Sequence, residues 1–216
     1  ILIKPQSLFF TPVLICGIID QVFLEDFNWK KFFKNLVLGV AAILMIGVLM
    51  LPFGFSQALN QYTGTLKSYE YASINAYNFW NMLGLNWASQ YDKLLGVQYK
   101  TWGTIAIVLT VIISIIISLR CKKNAGKYYF IGGFVVTTVF MFAVRMHERY
   151  LFPAMVMFLL AFAVRLRKEI YMLYVLVSTV AFYNAAHVLF VYDNTNFNSK
   201  APIPIAISIG LLLTVL

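Results

Sequence analysis

The chain alternates long apolar runs with short polar connections. A helix that crosses a membrane needs about 20 mostly apolar residues. Runs of this kind predict seven membrane segments, at 7–24, 35–52, 103–119, 128–146, 151–164, 170–191 and 203–216. The pattern therefore predicts an all-α, polytopic transmembrane helix bundle without a sheet, with 1–216 as a single transmembrane domain. Because the chain starts without methionine and ends inside an apolar run, we expect it to be a piece of a longer protein.

The segment 53–102 interrupts this pattern and is amphipathic. It holds three of the four tryptophans, and such rings with one polar end settle at the membrane–water boundary. Apolar residues recur there at helical spacing, at Ala72, Ala76, Phe79, Trp80 and Leu83. This stripe predicts at least one short helix near 72–83 that lies roughly along the membrane surface, within an outer-surface segment at 53–102.

Composition supports a membrane protein and excludes an ordinary soluble domain. The chain is 61% hydrophobic and 12% charged, whereas soluble domains are about 45–50% apolar and about 25% charged. The net charge of +9 could indicate a nucleic-acid partner in a soluble protein. Here 10 of the 17 basic residues fall in three short connections, 25–34, 120–127 and 165–169. Basic connections face the cytoplasm, so we expect 53–102 and 145–150 on the outer face, and no nucleic-acid partner.

Four ionisable residues cluster between two apolar runs, at Arg145, His147, Glu148 and Arg149, followed by Tyr150. If the cluster is helical, the two arginines share one face and repel each other. Glu148 can neutralise one of them, and a phosphate would suit the remaining charge because the arginine fork matches phosphate oxygens. The alternative is an outer loop in which the arginines reach toward water and one pairs with the glutamate.

Two weaker signals accompany this cluster. Lys4 lies at the outer end of the first apolar run, where it could add a cation to the same phosphate or simply anchor the helix end. The side chains of Asn75, Tyr77, Asn78 and Trp80 combine amides with aromatic faces, which suits a sugar or an acceptor. The alternative for these four is a solvated stripe on a surface helix.

One histidine lies inside an apolar run. His187 is close to Asn184 along the chain, and we interpret it as a packed, hydrogen-bonded histidine rather than a ligand to a metal or substrate. No metal-ligating spacing, phosphate-cradling loop or nucleophile elbow occurs. The sequence therefore points to no particular cofactor, and it leaves a divalent metal open.

Three stretches together resemble prokaryotic polytopic glycosyltransferases of the GT-C superfamily, which includes mannosyltransferases that use polyprenyl-phosphate sugars. They are Lys4-Pro5-Gln6, Asn75-Ala76-Tyr77-Asn78-Phe79-Trp80 and Met146-His147-Glu148-Arg149-Tyr150-Leu151-Phe152-Pro153. The His-Glu-Arg-Tyr stretch is the most specific. The resemblance covers most of the chain and implies that this is the C-terminal part of such an enzyme.

The resemblance implies inverting transfer of a sugar, with mannose as the first candidate, from a polyprenyl-phosphate donor to an acceptor at the outer face of the cell membrane. It implies that Lys4, Arg145, His147 and Arg149 bind the donor phosphate with Glu148 and Tyr150 in support. Asn75, Tyr77, Asn78 and Trp80 would contact the sugar or acceptor. The catalytic acidic residue of such enzymes lies in an early outer loop, which we expect outside this chain.

Two other classes of function remain open. One is a transporter or flippase segment whose basic cluster binds an anionic lipid or substrate, although the paired broken helices common in transporters are not evident. The other is a structural subunit of a membrane complex, which would not need a charged cluster. In each case membrane lipid is a partner. If the chain is a glycosyltransferase, the sugar donor and the sugar acceptor are partners as well.

Overall fold

The computed structural model describes residues 5–24, 28–121, 124, 126–191 and 202–215. The chain divides into two compact units, Ile1–Ser68 and Tyr69–Leu216. The boundary falls inside the predicted outer-surface segment 53–102, so that its first part belongs to one unit and its larger part to the other.

The first unit is helical. Its elements are a 3-10 turn at Pro5–Phe10, α1 at Thr11–Ile19, a π turn at Asp20–Leu24, α2 at Trp29–Met50, a 3-10 turn at Leu51–Phe53 and α3 at Phe55–Lys67. Asn28 caps α2, because its side chain accepts hydrogen bonds from the backbone of Lys30 and Lys31 at 2.9 and 3.3 Å. No residue of α2 is buried, although most of its side chains are apolar. Such a helix is stable where lipid or protein covers it.

The second unit combines helices with very short strands. Its elements are β1 at Ser73–Ile74, α4 at Phe79–Met82, β2 at Lys93–Leu94, β3 at Val97–Gln98, α5 at Tyr99–Arg120, α6 at Lys127–Phe142, β4 at Met146–His147, a 3-10 turn at Glu148–Leu151, α7 at Phe152–Arg165, α8 at Lys168–Val191 and α9 at Pro202–Val215. Each helix from α5 to α8 packs against the next helix along the chain. In sequence, β4 and the 3-10 turn Glu148–Leu151 lie between α6 and α7.

Among the described residues, three helical stretches are long and apolar enough to cross a membrane, in agreement with the expected association with a membrane. They are Trp29–Phe53, Tyr99–Arg120 and Lys168–Phe190. They correspond to three of the seven predicted segments. The other four predicted segments contain shorter helices, including Ser7–Val22 and Lys127–Phe142.

The described part of the chain is mostly helical, as predicted, but the expected absence of any sheet is wrong. β1 and β4 form a parallel pair, with Ser73 opposite Met146 and Ile74 opposite His147. β2 and β3 form an antiparallel hairpin whose two turn residues, Leu95 and Gly96, have positive φ angles of 52° and 82°. Two positive φ angles are the geometry of a type I′ turn, which matches the twist of a hairpin. Two-residue strands carry no apolar alternation, so the sequence pattern could not reveal them.

The prediction of a short helix near 72–83 holds only for its last part, α4 at Phe79–Met82. Helix is confined to α4, and Asn75 takes a left-handed φ of 57° that a helix does not allow. Ala72 and Trp80 are buried against Tyr99 rather than spread along a membrane surface. Asn75 and Asn78 are buried too, and their side-chain amides form hydrogen bonds inside the protein. The helical spacing of the apolar residues therefore corresponds to a helix only at Phe79 and Trp80, within α4.

Candidate functional site

The parallel pair of β1 and β4 brings two distant motifs together. The backbone N–H of Arg145 donates to the carbonyl of Tyr71 at 3.0 Å, and Ile74 lies opposite His147. A further bridge joins Asn75 to His147. The Asn75–Trp80 stretch and the His-Glu-Arg-Tyr stretch are thus neighbours in space although about 70 residues separate them along the chain.

Arg145 is held by acceptors of the protein itself. Its Nε donates to Gln90 Oε1 at 2.9 Å, and its Nη2 lies 3.6 Å from Glu70 Oε1. The hydroxyl of Tyr91 donates to the same Glu70 oxygen at 2.6 Å. The positive charge of Arg145 is therefore already opposed by a carboxylate that the sequence analysis did not single out.

The two arginines do not share a helix face. Arg145 has a left-handed φ of 64° and precedes β4, while Arg149 lies in the 3-10 turn Glu148–Leu151. The extended residues between them separate the two guanidinium groups onto different elements. The repulsion predicted from their spacing of four is therefore not a property of this fold.

Arg149 is the more accessible cation of the cluster. Its Nη1 lies 2.9 Å from Glu148 Oε1, and its guanidinium lies 5.7 Å from the centre of the Tyr150 ring. Half of the Arg149 side chain is exposed, against 18% of Glu148. The glutamate thus pairs with the adjacent arginine, and a large part of the guanidinium remains available to an outside anion.

His147 is buried and flanked by aromatic rings. Its ring lies edge-on to Tyr69, with centroids 5.2 Å apart, and 5.0 Å from the ring of Tyr150. Burial, and secondly the positive charge of Arg149, lower the pKa of His147 below its usual 6.5, while Glu148 opposes this more weakly. His147 is therefore neutral at pH 7, and it offers a hydrogen bond rather than a positive charge.

Asn75 is the centre of a buried amide network. Its Oδ1 accepts from Asn86 Nδ2 and from Trp87 Nε1, both at 3.0 Å. Its backbone N–H donates to Asn86 Oδ1 at 2.8 Å, and its carbonyl accepts from Asn184 Nδ2, also at 2.8 Å. These bonds hold the left-handed backbone of Asn75 beside His147.

Tyr77 connects the same network to α8. Its backbone N–H donates to Asn184 Oδ1 at 3.0 Å, and its hydroxyl is hydrogen-bonded to His187 Nδ1. Burial raises the pKa of Tyr77, so its hydroxyl stays protonated. The interpretation of His187 as a packed, hydrogen-bonded histidine is confirmed. Asn184 was noticed in the sequence only as its neighbour, yet it bridges two segments of the site.

Asn78 and Trp80 are likewise engaged inside the protein. Asn78 caps α4 by accepting from the Asn81 backbone N–H at 3.1 Å, and its Nδ2 donates to a carbonyl of α6 at 3.2 Å. Trp80 Nε1 donates to the Phe142 carbonyl at 2.9 Å. The four residues predicted to contact a sugar or acceptor are thus at most 6% exposed, and they support the site from inside the protein.

Some predictions about the site have no structural counterpart to compare. Lys4 lies outside the described residues. Within the part of the chain that the structure describes, no three side chains of His, Cys, Asp or Glu come together in a way that could hold a metal ion.

Comparison with known proteins returns no relative. No protein-family model, no curated protein and no solved structure matches the chain. Function must therefore be inferred from the site itself and from the residues that carry the resemblance.

Proposed function

We propose that this chain belongs to a multi-pass glycosyltransferase of the cell membrane. It would transfer a sugar, mannose first among the candidates, from a polyprenyl-phosphate donor to an acceptor at the outer face, with inversion at the sugar carbon. The observation that carries this proposal is the pairing of β1 with β4. It brings together the two more specific stretches of the resemblance, and the Arg149 side chain beside them is half exposed.

In this proposal Arg149 binds the donor phosphate. The acceptor hydroxyl attacks the sugar carbon, the bond from that carbon to the phosphate oxygen breaks, and negative charge builds on the departing lipid phosphate. A guanidinium at this position stabilises the developing charge. The hydroxyl proton passes to a general base, for which the resemblance implies an acidic residue of an early outer loop.

Arg145 and His147 then have roles that differ from the initial hypothesis. Because Glu70 and Gln90 hold Arg145, it acts as a positioning residue that fixes the turn before β4. The neutral imidazole of His147 can donate one hydrogen bond to a phosphate or sugar oxygen. Direct attraction for the donor phosphate is thus assigned mainly to Arg149.

The charges at the ends of the helices support the proposed orientation. Basic residues cluster where α2 begins, where α5 ends and where α8 begins, at Lys30, Lys31, Lys34, Arg120, Arg165, Arg167 and Lys168. If these ends face the cytoplasm, as basic connections do, the Tyr99 end of α5 and the site lie on the outer side.

The test is transfer of radiolabelled mannose from polyprenyl-phosphate mannose by the complete protein in proteoliposomes. We expect labelled product to appear with a lipid donor and to be absent with a nucleotide-sugar donor. Movement of intact polyprenyl-phosphate sugar across the bilayer, without any sugar transfer, would refute the proposal in favour of a flippase.

A further inference from the structure

A second feature of the Tyr69–Leu216 unit lies away from the ionisable cluster. An open cavity of about 640 Å³ runs between α5 and α6, within the range of about 300–1,000 Å³ typical of small-molecule sites. Its long walls are formed by Ile105, Leu109 and Ile113 of α5 and by Phe134, Thr138 and Phe142 of α6. None of its lining residues belongs to the stretch 145–149.

The two indole N–H groups and the Thr110 hydroxyl of the walls are hydrogen-bonded within the protein, whereas the buried Thr138 hydroxyl has no hydrogen-bond partner there. The indole N–H of Trp80 donates to the Phe142 carbonyl at 2.9 Å, and that of Trp102 donates to the Leu94 carbonyl at 3.1 Å. The hydroxyl of Thr110 donates to the Ala106 carbonyl at 2.7 Å. Neither indole N–H is therefore available to donate a hydrogen bond to a molecule in the cavity, and no lining residue is charged. An occupant gains little from polar groups here, so a hydrocarbon fits best.

The length of the cavity matches one leaflet of a bilayer. Along α5 the walls extend from Trp102 to Ile113, which at 1.5 Å per residue is about 16 Å. Half of a hydrocarbon core of about 30 Å is about 15 Å. Since α5 is one of the helices long enough to cross a membrane, the cavity reaches from one end of the span to its middle.

The end of the cavity near Tyr99 has the features of a lipid headgroup region. Leu94 and Leu95 of the β2–β3 hairpin line it, and Leu95 at the hairpin tip is 87% exposed. Lys93 precedes this pair in the hairpin and Lys100 lies in the first turn of α5, and both are exposed. Two ammonium groups at this level suit the phosphodiester of a phospholipid.

We propose that this cavity holds one acyl chain of a membrane glycerophospholipid from the leaflet at the Tyr99 end of α5, with its phosphodiester near Lys93 and Lys100. A cavity that ends at mid-membrane fits a chain confined to one leaflet. The walls include Trp80 but none of residues 145–149, and polyprenyl phosphate is therefore the competing occupant that the experiment distinguishes.

The experiment compares two neighbouring substitutions on α5. Leu109→Trp fills the cavity, whereas Val108→Trp is a matched control, because Val108 does not line the cavity and is 52% exposed against 51% for Leu109. The complete protein is extracted into mild detergent, and native mass spectrometry identifies the lipids that stay bound. We expect wild type and Val108→Trp to retain a glycerophospholipid and Leu109→Trp to lose it.

Further outcomes keep the test decisive. If Leu109→Trp does not insert, Ala106→Phe blocks the cavity one turn away and should show the same loss. Exchange of both lysines for glutamate should also release the lipid, by repelling its phosphodiester. Equal phospholipid retention in Leu109→Trp and Val108→Trp would overturn the proposal. So would retention of polyprenyl phosphate instead, or a dimer in wild type that Leu109→Trp dissociates.

Discussion

Replacement of Arg149 by alanine is the sharpest test of the proposed donor site. The substitution removes a side chain that is half exposed and that forms an ion pair with Glu148 at 2.9 Å. An exposed ion pair of this kind contributes about 0–1 kcal/mol to the free energy of unfolding. The fold should therefore survive the change, and any loss of activity would report on the bound donor.

The expected loss follows from the contact with phosphate. A hydrogen bond to a charged group contributes about 1.5–3 kcal/mol, and each 1.36 kcal/mol in a barrier is tenfold in rate. Sugar transfer should therefore fall by roughly ten- to a hundredfold in Arg149→Ala. Arg149→Lys should recover only part of this activity, because an ammonium keeps the charge but loses the planar fork.

The assay is transfer of radiolabelled mannose from polyprenyl-phosphate mannose in proteoliposomes with equal amounts of inserted protein. Arg167 provides the control, since it is also an exposed arginine and pairs with a nearby carboxylate, Glu169, at 3.4 Å. Arg167→Ala should leave transfer unchanged. Full activity of Arg149→Ala would show that the arginine only reaches toward water, and the site assignment would be wrong.

Three other predictions follow from the same structure. The pKa of His147 is lowered in the folded state, so the unfolded protein binds a proton on this ring more readily and thermal stability should fall as the pH drops below about 6.5. His147→Gln should make this fall less steep. An unchanged pH profile in His147→Gln would contradict the assignment. Asn184→Leu removes the hydrogen-bond partner of the Tyr77 backbone N–H and of the Asn75 carbonyl. The free energy of unfolding should fall by roughly 2–5 kcal/mol, measured as a drop in melting temperature, whereas the exposed Asn60→Leu should leave the melting temperature unchanged. In a background without native cysteines, Leu95→Cys should react with an impermeant maleimide in intact cells and Arg167→Cys only after permeabilisation; the reverse pattern would invert the topology.

The class of the protein could be predicted from sequence because it depends on local properties. Whether a stretch such as 103–119 forms an apolar helix is decided by its own composition and length. The corresponding helix α5 forms at Tyr99–Arg120. That His187 is hydrogen-bonded could also be predicted, because a polar ring within an apolar run needs a partner, but the partner itself, Tyr77, lies 110 residues away along the chain.

The arrangement of the candidate site was decided by tertiary structure. The sequence placed Arg145 and Arg149 on one helix and left Asn75 on a surface stripe. In the fold, Glu70 and Gln90 hold Arg145, and Asn184 fastens the backbone of Asn75. These partners lie 55 to 109 residues away along the chain, and none of them belongs to a recognisable motif. No local periodicity encodes such contacts, because they form only when the parallel pairing of β1 with β4 and the packing of α8 bring the distant segments together.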